Sequence, residues 1–374
     1  MTMAAAISNL PGPLTGSGIP MRKVLVCWQA VSGYMAACCR ALAARDDLEV
    51  HALFHTPVAA DNADFSTGIL CGLSHRLLDE KERHDAALIR KLALEYKPDA
   101  VILSGWSVSS YTQLAFEKAL AHSKFIMMID TQRRYNLRQA LARLKIGRLL
   151  DRLDYLFVPG ERSWQLARYL KLPMHKIQRG ALGFDFASFS SLLEERRKNS
   201  SGWPRNFLYV GKYETRKGID CLLEAHRIYK SRNEQAWSLR CCGMGPLAGK
   251  IRAAEGVADL GFQQPHELKK AFLAAGAFIL PSLFEPWGIA LVEACAAGLP
   301  VLCSDECGAS VEVVRSYFNG LSLETGNVIA LAEGMEWIQK NYPNLPEIGR
   351  RSRQMAEPFS ADMWAERVSS VILK

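Results

Sequence analysis

The feature that most restricts what this chain can fold into is an alternation of short apolar runs and helix-length amphipathic segments. In the first half, the runs 23–28, 49–54, 100–103, 125–129 and 155–158 are rich in aliphatic and aromatic residues. Their length and composition suit strands buried on both faces. Helical spacing fills 35–45, 86–96, 111–121 and 136–150 between them. Such alternation calls for a parallel sheet covered by helices on both sides. The same grammar restarts after Ser190, with strand candidates at 206–210, 237–242, 258–262, 278–281 and 301–303 and a helix over 218–230. The expected fold is α/β, two doubly wound parallel-sheet domains in tandem. Open parallel sheets bind ligands outside the carboxyl ends of their strands, so the expected site is the cleft between the domains.

At 374 residues the chain suits two domains of roughly 170 residues each. The expected boundaries are a first domain over 21–190, a connection over 191–204 that is rich in charge, Ser and Asn, and a second domain over 205–355. Residues 356–374 are expected to form a helix that packs back toward the first domain. Residues 1–20 lack a basic n-region and a long apolar h-region, and read as a flexible tail rather than a signal peptide. No stretch reaches the ~18 to 20 consecutive apolar residues of a membrane span. Ten cysteines sit mostly inside apolar runs, and without an export signal they read as reduced, buried thiols of a cytoplasmic protein. Cys303 and Cys307 have no second pair at zinc-site spacing, so no metal site is expected.

The segment 281–300, PSLFEPWGIALVEACAAGLP, carries the chemistry. Glu285 lies in the loop after a strand, a helix begins near Gly288, and Glu293 follows on its second turn. The unpaired N–H groups of Gly288, Ile289 and Ala290 suit a phosphate. A carboxylate on either side of that phosphate suits the vicinal hydroxyls of a ribose and a hexose. With its flanking Pro-Ser, Pro-Trp-Gly, Glu-Ala and Gly-Leu-Pro, this segment resembles the E-x7-E signature of the retaining GT-B glycosyltransferases of family 4. Sucrose synthases and bacterial lipid and lipopolysaccharide glycosyltransferases are among them. The resemblance implies two Rossmann-like domains facing a central cleft, Glu285 on the donor sugar and Glu293 on the ribose.

The turn 210–218, VGKYETRKG, is similar to the family's Gly-Arg…Lys-Gly element, which neutralises the donor diphosphate. Lys217 stands at the expected place. Lys212 stands where Arg is more usual, which keeps the charge and loses the bidentate fork; Arg216 is a substitute. Gly243, in 242–246, matches a Gly-x-Gly-Pro turn near the base, and Phe262 a loop that covers it. In the first domain Gly33 is the single glycine of the loop after the first strand. Asp130 ends a mid-domain strand where many relatives carry a His, and His122 is a spare candidate. The resemblance covers about 205–325 and implies metal-independent transfer, with no cofactor beyond the nucleoside-diphosphate sugar as co-substrate. Retention without a protein nucleophile is implied too, the acceptor attacking on the face that the diphosphate leaves. Another GT-B enzyme, such as an epimerase, and a non-catalytic sugar-nucleotide binder remain open.

The formal net charge of +8 is uneven: residues 1–190 hold 24 Lys+Arg against 17 Asp+Glu. From Thr131 to Arg152 seven basic residues face one acid, Asp151. On a continuous helix Arg134, Arg138, Lys145, Arg148 and Arg152 form one stripe. The expected partners are a nucleotide-sugar donor, a glycan or glycolipid acceptor and an anionic membrane surface at the inner face of the membrane. Nucleic acid is not expected, because no aromatic interleaving accompanies the charge.

Overall fold

The computed structural model describes residues 21–57 and 65–374; the expected tail at 1–20 lies outside them. Two all-parallel sheets organise the chain. The first contains β1 (Arg22–Trp28), β2 (Leu48–His55), β3 (His75–Leu78), β4 (Ala100–Leu103), β5 (Lys124–Met128), β6 (Tyr155–Val158) and β7 (Ile177–Arg179), in the order β3-β2-β1-β4-β5-β6-β7. The second contains β8 (Asn206–Val210), β9 (Ser238–Cys242), β10 (Val257–Asp259), β11 (Ala277–Leu280), β12 (Val301–Ser304) and β13 (Gly320–Leu323), in the order β10-β9-β8-β11-β12-β13. Both are doubly wound, as the alternation requires. β1 pairs on both sides, Val24 opposite Val50 of β2 and Ala100 of β4. Every residue of β4 is buried, the price of helices on both faces.

Each face of the first sheet has its own core. One sets Leu25, Val101 and Met127 against the helices Ala86–Tyr96, Ala142–Arg152 and Glu161–Tyr169. The other sets Val26, Ile102 and Ile126 against the helix Gly33–Ala43 and the last helix, Ala361–Ile372. That last helix reaches the first domain from the far end of the sequence. Its Trp364 Nε1 donates to Ala181 O at 3.0 Å, and Lys124 Nζ donates to Ile372 O at 3.0 Å.

Several expectations need correction. Strands β3, β7 and β13 went unread: β3 and β7 are short, polar edge strands, and β13 is interrupted by Ser322 and opens on a glycine. Segment 111–121 is not one helix but short turns, because Glu117 takes an extended conformation and caps Ala119 N. Segment 136–150 is two pieces, Leu137–Ala140 and Ala142–Arg152. The connection begins as helix: Phe186–Arg197 carries Leu192, Leu193 and Arg196 inward onto the second domain. Eight of the ten cysteines are buried, but Cys71 is exposed and Cys221 partly so, and all ten are free.

Candidate active site

Strands β8 and β11 lie side by side where the second sheet reverses its direction of growth. Their carboxyl ends are therefore where a crevice opens. After β8 the chain makes a 3-10 turn, Thr215–Lys217, that closes on Gly218 at φ 73°. This turn is fastened to the loop after β11: Leu283 N donates to Arg216 O at 2.9 Å, and the Arg216 guanidinium to Phe284 O at 3.0 Å. The two connections bring Lys217 Nζ onto Glu285 Oε2 as a direct ion pair, with side chains only 13% and 11% exposed.

Glu285 is held by its backbone from three directions. Its carbonyl accepts from Gly308 N at 2.9 Å, and its N–H donates to Glu306 O at 3.3 Å. From the other domain, buried Gln132 donates through Nε2 to Glu285 O at 2.5 Å and to Pro286 O at 3.0 Å. Nothing in the sequence flagged Gln132, because its partner is 153 residues away.

The helix Ile289–Ala296 starts at Gly288, whose φ of 94° favours glycine. A Cβ there would also lie 2.7 Å from Cys307 Sγ and 3.1 Å from Glu285 Cγ, so glycine lets the carboxylate side chain lie against the helix start. The N–H groups of Gly288, Ile289 and Ala290 donate to no acceptor among the described residues. All three residues line one cavity with Glu285, Lys217 and Lys212. Lys212 stands 4.0 Å from Glu214, which Arg216 shares at 3.7 Å. Glu293 enters the same cavity from the second helical turn. Burial first, and the negative Asp185 second, push its carboxyl up to about 8, while Lys269 acts against them. Lys269, 3.6 Å from Asp185, also went unread.

Gly243 sits where the ends of β8 and β9 touch: a Cβ would lie 1.9 Å from Gly211 O, so only hydrogen fits. From the first domain Gly33 and Tyr34 line the cavity, and a Cβ on Gly33 would be 3.3 Å from Pro265 Cγ. Phe262 lines it too and meets Phe65 of the first domain edge-on, centroids 5.3 Å apart. Beside them Ser66 N donates to Gln264 Oε1 at 3.2 Å. Asp130 follows β5, outside the residues that line the cavity but within electrostatic reach of the pair. The protein around it and the charge of Glu285 raise its pKa, and Lys217 lowers it. Asp130 in turn helps burial push the Tyr34 hydroxyl up to about 12. His122 is no candidate: it precedes the amino end of β5, away from the carboxyl ends that face the cleft.

The cavity measures about 1110 Å³, above the ~300–1,000 Å³ usual for small-molecule sites. Its chemistry is divided. A helix start and the cations Lys212, Arg216 and Lys217 suit a diphosphate, while Glu285 and Glu293 flank that spot as hydroxyl acceptors.

Two facing parallel-sheet domains with the site in the cleft define the GT-B class of glycosyltransferase folds. The chain superposes on HepE of Anabaena, solved with UDP and glucose, with a TM-score of 0.74 at 15% identity, over 94% of this chain and 100% of that one. It also superposes on a sucrose-phosphate synthase of Thermosynechococcus elongatus, with a TM-score of 0.70 at 16% identity, over 93% and 98%. At such identities the likeness is one of fold. In sequence, residues 193–355 match the family Glycosyl transferases group 1, so the second domain is a domain of that family. An uncharacterized glycosyltransferase of Methanocaldococcus jannaschii is 29% identical over 140 residues, 36% of each chain. The amylovoran biosynthesis glycosyltransferase AmsK of Erwinia amylovora is 29% identical over 191 residues, 47% of this chain and 46% of that one. The chain thus spans between a third and a half of the length of these curated relatives.

Proposed function

We propose that this protein is a retaining glycosyltransferase that moves a sugar from a nucleoside-diphosphate sugar to a hydroxyl of a glycan or glycolipid. The observation that carries the reading is the Lys217–Glu285 pair beside the open start of helix Ile289–Ala296, with Glu293 one turn beyond. In this reading the diphosphate lies on the N–H groups of Gly288, Ile289 and Ala290 and takes its counter-charge from Lys217 and Lys212. An ammonium has three donors and a carboxylate about four acceptor sites. Lys217 can therefore keep Glu285 while donating to phosphate, and Glu285 keeps lone pairs for sugar hydroxyls. Glu293 takes the ribose hydroxyls, and Gly243 and Phe262 border the base. Asp130 faces the transferred sugar.

The bond from the anomeric carbon to the diphosphate breaks as the acceptor oxygen bonds to that carbon on the same face. The acceptor proton passes to the departing diphosphate oxygen. Fixed cations and helix N–H groups stabilise the charge that develops there, so the proposal needs neither a metal nor a resident cofactor. The proposed place of work is the cytoplasm, at the inner face of a membrane.

Incubation with UDP-, GDP- and ADP-sugars tests the reading. Release of nucleoside diphosphate from one of them, with a product of unchanged anomeric configuration by NMR, is the expected result. Tight binding without release would leave a sugar-nucleotide binder, and inversion would overturn the stereochemical assignment.

A further inference from the structure

The basic segment beside the cleft differs from the expected stripe in a way that changes its meaning. Arg134 precedes the helix and stacks on the Phe284 ring at 3.9 Å. Arg152 is drawn back to Asp154 at 3.6 Å and over the Phe125 ring. Arg138, Lys145 and Arg148 remain exposed, and among the described residues none of the three forms an ion pair. Between them stand side chains that composition did not draw out. Tyr135 is 88% exposed, Leu137 and Leu144 82% each, and Leu141 53%. Single surface leucines need no explanation, but four large apolar groups within ten residues do.

The three leucines share one side. Leu137, Leu141 and Leu144 follow the i, i+4, i+7 spacing of a single helical face. The turn at their middle is kept, because Leu141 N donates to Leu137 O at 3.0 Å. The opposite face is seated in the first domain through Leu149 and Leu150, both buried. No acidic residue occurs between Thr131 and Leu150. The one acid further along this face, Asp151, lies two turns beyond Leu144 and is paired with Arg143. An apolar ridge flanked by Arg138, Lys145 and Arg148 complements an anionic bilayer surface. A second copy of the chain would instead bring like charges face to face. The segment is also tied to the catalytic loop, since Gln132 binds the Glu285 carbonyl only a few residues before the ridge begins.

We propose that Tyr135, Leu137, Leu141 and Leu144 insert at the headgroup–acyl boundary of an anionic membrane, with Arg138, Lys145 and Arg148 on its phosphates. The cleft wall beside Glu285 then stands close to the lipid surface, where a lipid-carried acceptor arrives. That last clause rests on the glycosyl-transfer reading; the membrane contact does not.

Sedimentation of the full chain with phosphatidylcholine vesicles, and with vesicles containing phosphatidylglycerol, tests it at about 0.1 M and about 0.5 M salt. The expected result is binding to the anionic vesicles that weakens with salt without vanishing. Replacing both leucines (Leu137→Ser with Leu144→Ser) should lower binding by about tenfold or more at either salt. Arg138→Ser with Lys145→Ser should remove the preference for anionic lipid. Both pairs are exposed, so thermal stability and nucleotide-sugar turnover with a soluble acceptor should be unchanged. Equal, negligible binding to both vesicle types overturns the inference, as does a leucine variant that binds like the unaltered chain. So does lipid-free self-association that the leucine variant abolishes. Turnover by the unaltered chain separates the two readings: turnover without vesicle binding sinks only this one, and vesicle binding without turnover sinks only the enzymatic one.

Discussion

Lys217 and Glu285 each keep the other's charge tolerable where both side chains are largely shielded from water. Removing the ammonium strands a desolvated carboxylate and withdraws a donor from the departing diphosphate. Lys217→Ala should therefore cost on the order of 3 kcal/mol of transition-state stabilisation, by analogy with losing one oxyanion donor. The comparison of kcat/KM for the two proteins measures it; an unchanged value would remove Lys217 from the site. Glu293 gives a second residue-scale prediction, through pH. Folding raises its carboxyl from an ordinary 4.5 to about 8, so the folded state favours the protonated form. That preference stabilises the fold fully below about pH 4.5 and is lost as pH rises through 8. Glu293→Gln should then show a flatter Tm between about pH 5 and pH 8 than the unaltered protein. Parallel Tm profiles would show that the carboxyl is not perturbed.

Among the elements, the loop after β11 is one place where the domains meet, and Gln132 is a side chain that crosses there. Gln132→Ala should lower kcat by about tenfold while donor affinity stays within about threefold, because the carbonyls it holds belong to Glu285 and Pro286. A matching loss of affinity and kcat would make its role general packing. Arg196, on the helix Phe186–Arg197, is almost wholly buried and serves the ends of two other helices. Its guanidinium donates to Phe272 O and Ala297 O at 2.7 Å each and to Leu273 O at 3.2 Å. Among the described residues the Leu273 and Ala297 carbonyls are left without a backbone donor at these helix ends, while Phe272 O also accepts from Ala275 N at 3.2 Å. Arg196→Ala should therefore destabilise the protein by about 3 kcal/mol in denaturant unfolding. A change under about 0.5 kcal/mol would contradict this account. The sequence read 191–204 as a connection because its charge resembles that of a solvated segment. A buried arginine that caps distant helices has no local signature.

At the scale of the molecule, what was legible in sequence was what local pattern encodes. Strands such as β4 and β6 announce themselves by fully apolar runs, while β3, with His and Arg in its first half, does not. Glu285, Gly288 and Glu293 fall within nine residues, so one helix start reveals all three; Lys217 follows from a turn of its own. Gln132 and Lys269 could not be read, because their place depends on how two domains meet and on a helix packed across the cavity. The exposed leucines of the basic segment were hidden for the opposite reason. A leucine at helical spacing reads as core until the structure shows which face has no cover.

The claim on which the rest depends is that fixed side chains and a helix start perform sugar transfer without a metal. The rate of nucleoside-diphosphate release in EDTA, for the unaltered chain and for Glu285→Ala, tests it most directly. The account predicts that the unaltered chain keeps its rate and that the variant loses roughly 10²-fold or more in kcat with a smaller change in donor KM. An absolute requirement for Mg²⁺, or equal rates for the two proteins, would contradict it.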